Sequence, residues 1–243
     1  MATQRGQEQD VHRAFARFWD QRAQDYDLEP QHVFCSEEER GFWVGLLGEL
    51  CRGRPSVVLD VGTGTGFLAL MLAELGHAVT GVDLSTRMLD QARIKADRQG
   101  VRLDLREAPA ERTGLPAGTF DLVISRHVLW NVLDPALALQ EWVRVTRPGG
   151  LVVAIDGCFQ PAPDRWRDFR EAFEALPFVG GVPPEVSLRF FEQAGLKACT
   201  YRWLDELRDL RARALPPEVA EPLAGHRYYL VRGAKPALAE AAP

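Results

Sequence analysis

The residues whose types and spacing could carry chemistry begin in VVLDVGTGTGFLALML at 57–72. There Asp60 closes a strand-like apolar run, and Gly62, Gly64 and Gly66 follow at every second position. Glycine reaches positive φ and has no Cβ to hold a ligand off, so such a turn can present backbone N–H groups to a bound molecule. Each glycine costs about 0.5–1 kcal/mol relative to alanine inside a regular element, which argues that the run has a use. Alone it is weak evidence, because a purely structural turn uses the same residue. The case strengthens 17 residues past Gly66, where AVTGVD ends in Asp83. A carboxylate at the end of a second strand can accept hydrogen bonds from both hydroxyls of a ribose. Turn and acid together imply a ligand containing adenosine. A third group follows the next expected ligand-side strand end. His127, one of five histidines, is either a proton acceptor or a structural loop histidine, and Trp130 and Asn131, the chain's single asparagine, could line substrate space.

These residues need a scaffold that brings strand ends together. After Pro55 the pattern alternates between β and α segments, which implies an α/β fold with a doubly wound, mainly parallel sheet and helices on both faces. Strands are expected at 57–61, 78–82, 102–106, 120–125 and 151–155, with two more near 197–204 and 226–232, seven in all. Helices are expected at 67–75, 86–99 and 135–146. Asp134 caps the last, Pro135 opens it, and RPGG at 147–150 stops it with a tight turn. Ahead of the sheet lies a helical preface. Val11, Phe15, Phe18 and Trp19 share one helix face, and Ser36 with Glu39 has capping-box spacing before Phe42, Trp43, Leu46, Leu47 and Leu50. Trp166, Phe169, Phe173 and Leu176 have helical spacing in an insertion over the sheet edge, and a helix ending at Ala194 has Gly195 at its C-cap.

Composition narrows the functional classes. A net charge of −5 argues against polyanion binding, and YRWLDELRDLRARAL at 201–215, with Arg202, Arg208, Arg211 and Arg213 among acids, is expected to be a solvated helix face. No apolar run approaches the roughly 20 residues of a membrane helix, and no secretion signal is visible, so a cytoplasmic location is expected. Cys35, Cys51, Cys158 and Cys199 lack the C-x-x-C spacing of a zinc or redox site, so packed free thiols and no metal are expected.

The spacing of the glycines selects among nucleotide ligands. A dinucleotide fingerprint is G-x-G-x-x-G, whereas here the third glycine arrives one place early and Phe67 occupies the fingerprint position. The sequence resembles the class I S-adenosylmethionine (SAM) methyltransferases, whose acid-x-G-x-G-x-G motif is matched by Asp60, Gly62, Gly64 and Gly66. GVDLSTRMLDQAR, REAPAERTGLPAGTFDLVISRHVLW and EWVRVTRPGGLVVAID look like the same family's second to fifth strands. FWDQRAQDYD resembles the N-terminal helix of the branch that methylates small molecules, quinone-type enzymes included. The resemblance implies a Rossmann-like domain over 1–243, divided into a helical extension (1–54), a SAM-binding core (55–156), an insertion covering the substrate (157–195) and C-terminal strands (196–235).

The resemblance also assigns roles. Asp60 belongs near the methionine end of SAM, Gly62 and Gly64 against its backbone, and Asp83 on the ribose. Leu84 and Met88 belong beside the adenine, although Met88 has a core role as its alternative. Glu107 with Ala108 stands where the family has an Asp-Ala pair facing the adenine amino group, and backbone at Arg126 stands where it holds the methionine ammonium. Tyr26 or Arg22 closes over the amino-acid moiety or is simply packed. Trp19 either walls a substrate pocket or belongs to the core. The expected activity is SAM-dependent methyl transfer to oxygen, nitrogen or carbon of a small molecule. The rivals are an NAD(P)-dependent oxidoreductase and a catalytically silent SAM-binding protein. A nucleic-acid enzyme is disfavoured because SRHVLW replaces the N/D-P-P-Y/F sequence of many amino-directed members.

Overall fold

The computed structural model describes residues 2–158, 174–221 and 225–237. Its strands β1 (Val57–Val61), β2 (Ala78–Asp83), β3 (Asp104–Glu107), β4 (Phe120–Arg126) and β5 (Thr146–Cys158) run parallel. β7 (Arg227–Ala234) is antiparallel to β5 on one side and to β6 (Lys197–Trp203) on the other. The order β3-β2-β1-β4-β5-β7-β6 is the expected mainly parallel, seven-stranded sheet. The chain winds outward in one direction from β1 and in the other from β4, so a crevice opens between their carboxyl ends, where doubly wound sheets bind ligands.

Side chains alternate across the sheet and build a core on each face. Leu59, Val61, Val123, Val152, Ala154, Tyr229 and Val231 point to one side, where they meet α1 (Ala2–Arg22), α5 (Pro135–Val145) and α6 (Pro184–Gln193) through Phe15, Phe18, Trp142 and Phe191. Val58, Leu122, Ile124, Val153, Ile155 and Leu230 point to the other. They meet α2 (Glu37–Leu50), α3 (Phe67–Glu74) and α7 (Asp205–Ala214) through Trp43, Leu47, Leu72 and Leu207. α4 (Thr86–Gln99) begins at the expected residue because the Ser85 hydroxyl accepts from Met88 N at 3.1 Å, and it ends at Gly100, whose φ of 68° is left-handed. The short α8 (Pro217–Ala220) completes the described helices.

Several boundaries differ from expectation. α1 starts at Ala2 rather than near Val11, and β3 starts two residues later and ends one later than expected. RPGG does not separate α5 from β5. The strand starts at Thr146 and absorbs the turn, with Gly149 at φ 74° and a register break between the Phe120 and Leu122 pairings. Gly149 N donates to Lys235 O at 3.0 Å, which holds this bulge against the end of β7. The expected insertion helix at Trp166, Phe169 and Phe173 lies outside the described residues, while Leu176 is buried.

Two polar residues are corrected. Ser36 caps α2 by accepting from Glu39 N at 3.1 Å, but the Glu39 carboxylate does not return to Ser36 N. It is fully buried, accepting from Cys35 N at 2.9 Å and Trp43 Nε1 at 3.2 Å, and it receives Nε and Nη2 of Arg211 at 2.9 and 2.6 Å. Arg211 is therefore not on a solvated face. It also donates to the carbonyls of Gln31 and Val33 at 3.3 and 3.4 Å, so α7 pins the polar segment that follows α1. Breaking a buried pair strands one charge at about 3–5 kcal/mol. Arg211→Met is expected to lower unfolding free energy by about that amount. The double variant Glu39→Gln/Arg211→Met should recover most of it, as measured by urea titration; equal losses in both would show that the charge pairing is irrelevant.

Candidate active site

The site is built at the carboxyl ends of β1, β2 and β4. Parallel pairing sets Val61 beside Val82, and Thr63 N donates to Val82 O at 2.9 Å, so the glycine turn starts beside the end of β2. Gly62 and Gly64 have φ of 64° and 55°, and both line a cavity of about 450 Å³. A Cβ on Gly62 would collide with Val128 Cγ2, whereas one on Gly64 would meet nothing, so only the backbone conformation demands glycine at the second position. Gly66, at φ 89°, is the N-cap of α3 and packs near Ala92 and Leu70, outside the cavity lining.

Asp60 lies beneath the turn, 2% exposed, accepting from Thr63 Oγ1 at 2.8 Å. Burial pushes its carboxyl up to about 7. Asp83 faces the cavity, takes Gly64 N and Ser85 N at 2.8 and 2.9 Å, and is pushed up to about 6 by burial. Each carboxylate oxygen has a second lone pair, so both remain able to accept from a ligand hydroxyl. Leu84, Met88 and Ala108 line the same region, and Ala108 N donates to Asp83 O at 3.0 Å. Glu107 is exposed and outside the lining, because it ends the edge strand β3 with its side chain on the solvent side.

The opposite wall comes from α1 and the two 3-10 turns after it, Tyr26–Leu28 and Pro30–His32. Asp20 accepts from Ser85 Oγ at 2.6 Å and Arg87 N at 3.2 Å; Asp27 accepts from Thr65 Oγ1 and Lys95 Nζ, both at 2.7 Å. These acids fasten the extension to the glycine turn and α4. Tyr26 stacks on His32 with centroids 3.7 Å apart, and burial pushes its hydroxyl up to about 12 and the His32 ring down to about 3. Arg22 pairs with Glu29 beside them. Arg126 also reaches the cavity, with its guanidinium 3.6 Å from the Phe67 ring centre, and burial pulls it down to about 10.

His127, Trp130, Asn131 and Trp19 all line the cavity. His127 sits at φ 61° with Nδ1 3.9 Å from Asp156 Oδ1. Burial first, then Arg126 and Arg211, push its ring well below its ordinary value, leaving it a weak proton acceptor. Asn131 Oδ1 is shielded from solvent and has no hydrogen-bond partner.

The structure adds a pair that motif reading misses. His12, on α1, lines the cavity with Nε2 3.6 Å from Oε2 of Glu111, which is 5% exposed and accepts from Leu133 N at 3.1 Å through Oε1. The available signal was position: His12 falls three residues before Phe15 on the apolar side of α1.

Residues 59–154 match the family model described as a methyltransferase domain. The chain's relatives include demethylmenaquinone methyltransferase of Thermus thermophilus, 40% identical over 133 residues, covering 53% of this chain and 60% of that one. Ubiquinone biosynthesis O-methyltransferase of Aromatoleum aromaticum is 40% identical over 148 residues, covering 58% and 63%. This chain thus spans less than two thirds of these curated relatives' length. The chain shares its fold with geranyl diphosphate C-methyltransferase of Streptomyces coelicolor, solved with Mg2+, geranyl diphosphate and S-adenosylhomocysteine, at TM-score 0.63 and 20% identity over 81% of this chain and 79% of that one.

Because burial lifts Asp60 from 3.8 to about 7, folding takes up a proton there. Its contribution to stability is present at low pH and is lost as pH rises through about 7. Asp60→Asn is expected to gain stability relative to the unsubstituted protein between about pH 4.5 and 8. Unfolding midpoints at both values check it, and a pH-independent difference would refute the shift.

Proposed function

We propose that the chain transfers the methyl group of SAM to a small-molecule acceptor. The observation that carries this reading is the convergence of Gly62, Gly64 and Asp83 on one wall of a cavity whose other walls are apolar and aromatic. A volume of about 450 Å³ lies within the range of small-molecule sites. Asp83 would take the ribose hydroxyls, the bare backbone at Gly62 and Gly64 would lie against the methionine portion, and Leu84, Met88 and Ala108 against the adenine. Tyr26 and Arg22, on the covering wall, would close over the amino-acid end. When bound, SAM supplies a methyl group on a sulfonium, already activated for displacement. The chain's own task is then to exclude water and hold the acceptor atom about 3–3.5 Å from that carbon, in line.

Phe15, Phe18, Trp19, Trp130 and Val132 offer flat apolar surface for a ring, in keeping with the quinone-pathway names of the relatives. The acidic balance supports a small acceptor over nucleic acid. We read the chain as a single catalytic unit working in the cytoplasm, which its four free cysteines support. No helix among the described residues is long and apolar enough to cross a membrane.

Titration calorimetry with SAM and with NAD(H) separates this reading from an oxidoreductase. SAM is expected to bind, Asp83→Ala to weaken it by about 1.5–3 kcal/mol, and Asp83→Asn to weaken it less. SAM affinity should also fall as pH drops through about 6, where Asp83 takes up its proton. Binding of NAD(H) alone would refute the proposal, and SAM binding with no methyl transfer to any acceptor in fractionated extract would leave only the silent reading.

A further inference from the structure

We propose that Asp156 is the positioning residue of the acceptor wall: its carboxylate, itself outside the cavity, sets where Trp130 and Asn131 stand within it. The inference rests on the methyl-transfer reading above and deepens it.

Trp130 and Asn131 reach the cavity from the 3-10 turn Leu129–Asn131, just beyond β4. The turn has no capping side chain of its own, because Val128 precedes it. Asp156, fully buried near the end of the neighbouring strand β5, supplies the cap from 27 positions away. Its Oδ2 accepts from Leu129 N at 3.1 Å and its Oδ1 from Gly157 N at 2.9 Å, and the Trp130 N–H also bears on it. The first N–H groups of a helical turn have no partner inside the turn, so an outside carboxylate fixes both their direction and that of the side chains they carry. Bonds to a charged acceptor are also the stronger kind.

The chain entering the turn needs that restraint. His127 has a φ of 61°, in the left-handed region that a residue with a Cβ rarely adopts, and its N donates to Ile155 O at 2.9 Å. The strained residue therefore sits between two attachments to β5, Ile155 O before the turn and Asp156 beneath it. Such conformations persist only where their surroundings over-determine them. At the other end, Asn131 N closes the turn on Val128 O at 2.8 Å, and Asn131 Oδ1 is shielded and without a hydrogen-bond partner. Any tilt of the turn changes what that oxygen and the Trp130 ring can meet.

The cap is also able to change its charge. Burial pushes the Asp156 carboxyl up to about 7. Among the described residues, the titratable groups that face it are His127, with Nδ1 3.9 Å from Oδ1, Tyr229 on β7 and Cys158 on β5. Burial drives the ring well below its ordinary value and both the phenol and the thiol above theirs, so all three are neutral where Asp156 titrates. Above about pH 7 both carboxylate oxygens accept; below it one becomes an O–H and the N–H that it held loses its acceptor.

Asn131 is the only asparagine in the chain, so 15N-asparagine labelling gives one backbone and one side-chain amide to follow by NMR. In the full chain saturated with S-adenosylhomocysteine, both signals are expected to shift with a midpoint at about pH 7. Asp156→Thr, which keeps an oxygen but no titrating proton, should abolish that step while S-adenosylhomocysteine still binds; Asp156→Ser serves if the first variant misfolds. Signals of the unsubstituted chain that do not move between about pH 6 and 8, or a step that persists in a folded variant, overturn the proposal. Should the chain bind no S-adenosylhomocysteine, the methyl-transfer reading fails, and the same titration of the unloaded chain still decides whether Asp156 sets the turn.

Discussion

The ligand end of this fold depends on the 2.8 Å hydrogen bond from Gly64 N to the Asp83 carboxylate. It joins the turn after β1 to the end of β2, and it forms only because Gly64 adopts a left-handed conformation that directs its N–H toward the neighbouring strand. Asp83 is half-buried, so losing that donor would leave the acid less well solvated, and the turn resists displacement for that reason. Thr63 N to Val82 O closes the same junction from the other side. The N–H groups of the turn are therefore fixed in place before any ligand arrives.

Burial at this end of the sheet also has an energetic consequence. Asp60, Asp83 and Asp156 lie in the last residues of three strands, and burial lifts all of them, to about 7, 6 and 7. A core built for stability alone would not collect acids there. Asp60 and Asp156 lie outside the cavity lining and are held by Thr63 Oγ1 and by the N–H groups of Leu129 and Gly157, so of the three only Asp83 faces the cavity.

What was legible in the sequence is what short-range chemistry determines. Ser85 and Gly100 bracket α4 with a cap at each end, and the alternation of Val58, Leu59 and Val61 places β1 between two helix layers. The glycine turn and Asp83 were readable for the same reason, since their residues lie within one β-α-β passage. Pairings between distant residues were not. Arg211 meets Glu39 across 172 positions, and nothing in the alternating charges of α7 distinguishes it from its exposed neighbours. His12 and Glu111 belong to different elements, and each alone resembles an ordinary polar residue. Glu107 shows the limit of analogy, because its place in the motif matches while the geometry of an edge strand turns it outward.

The acids of the extension carry one last implication. Asp20 and Asp27 grip Ser85, Arg87, Thr65 and Lys95, all within the stretch matched by the family model, from a segment outside it. A boundary drawn around the shared stretch therefore cuts through the wall of the binding chamber. The unit that can be grafted or swapped is the core together with its own cover. Side chains between the two anchoring acids can be exchanged to suit a new guest while the clasp itself stays intact.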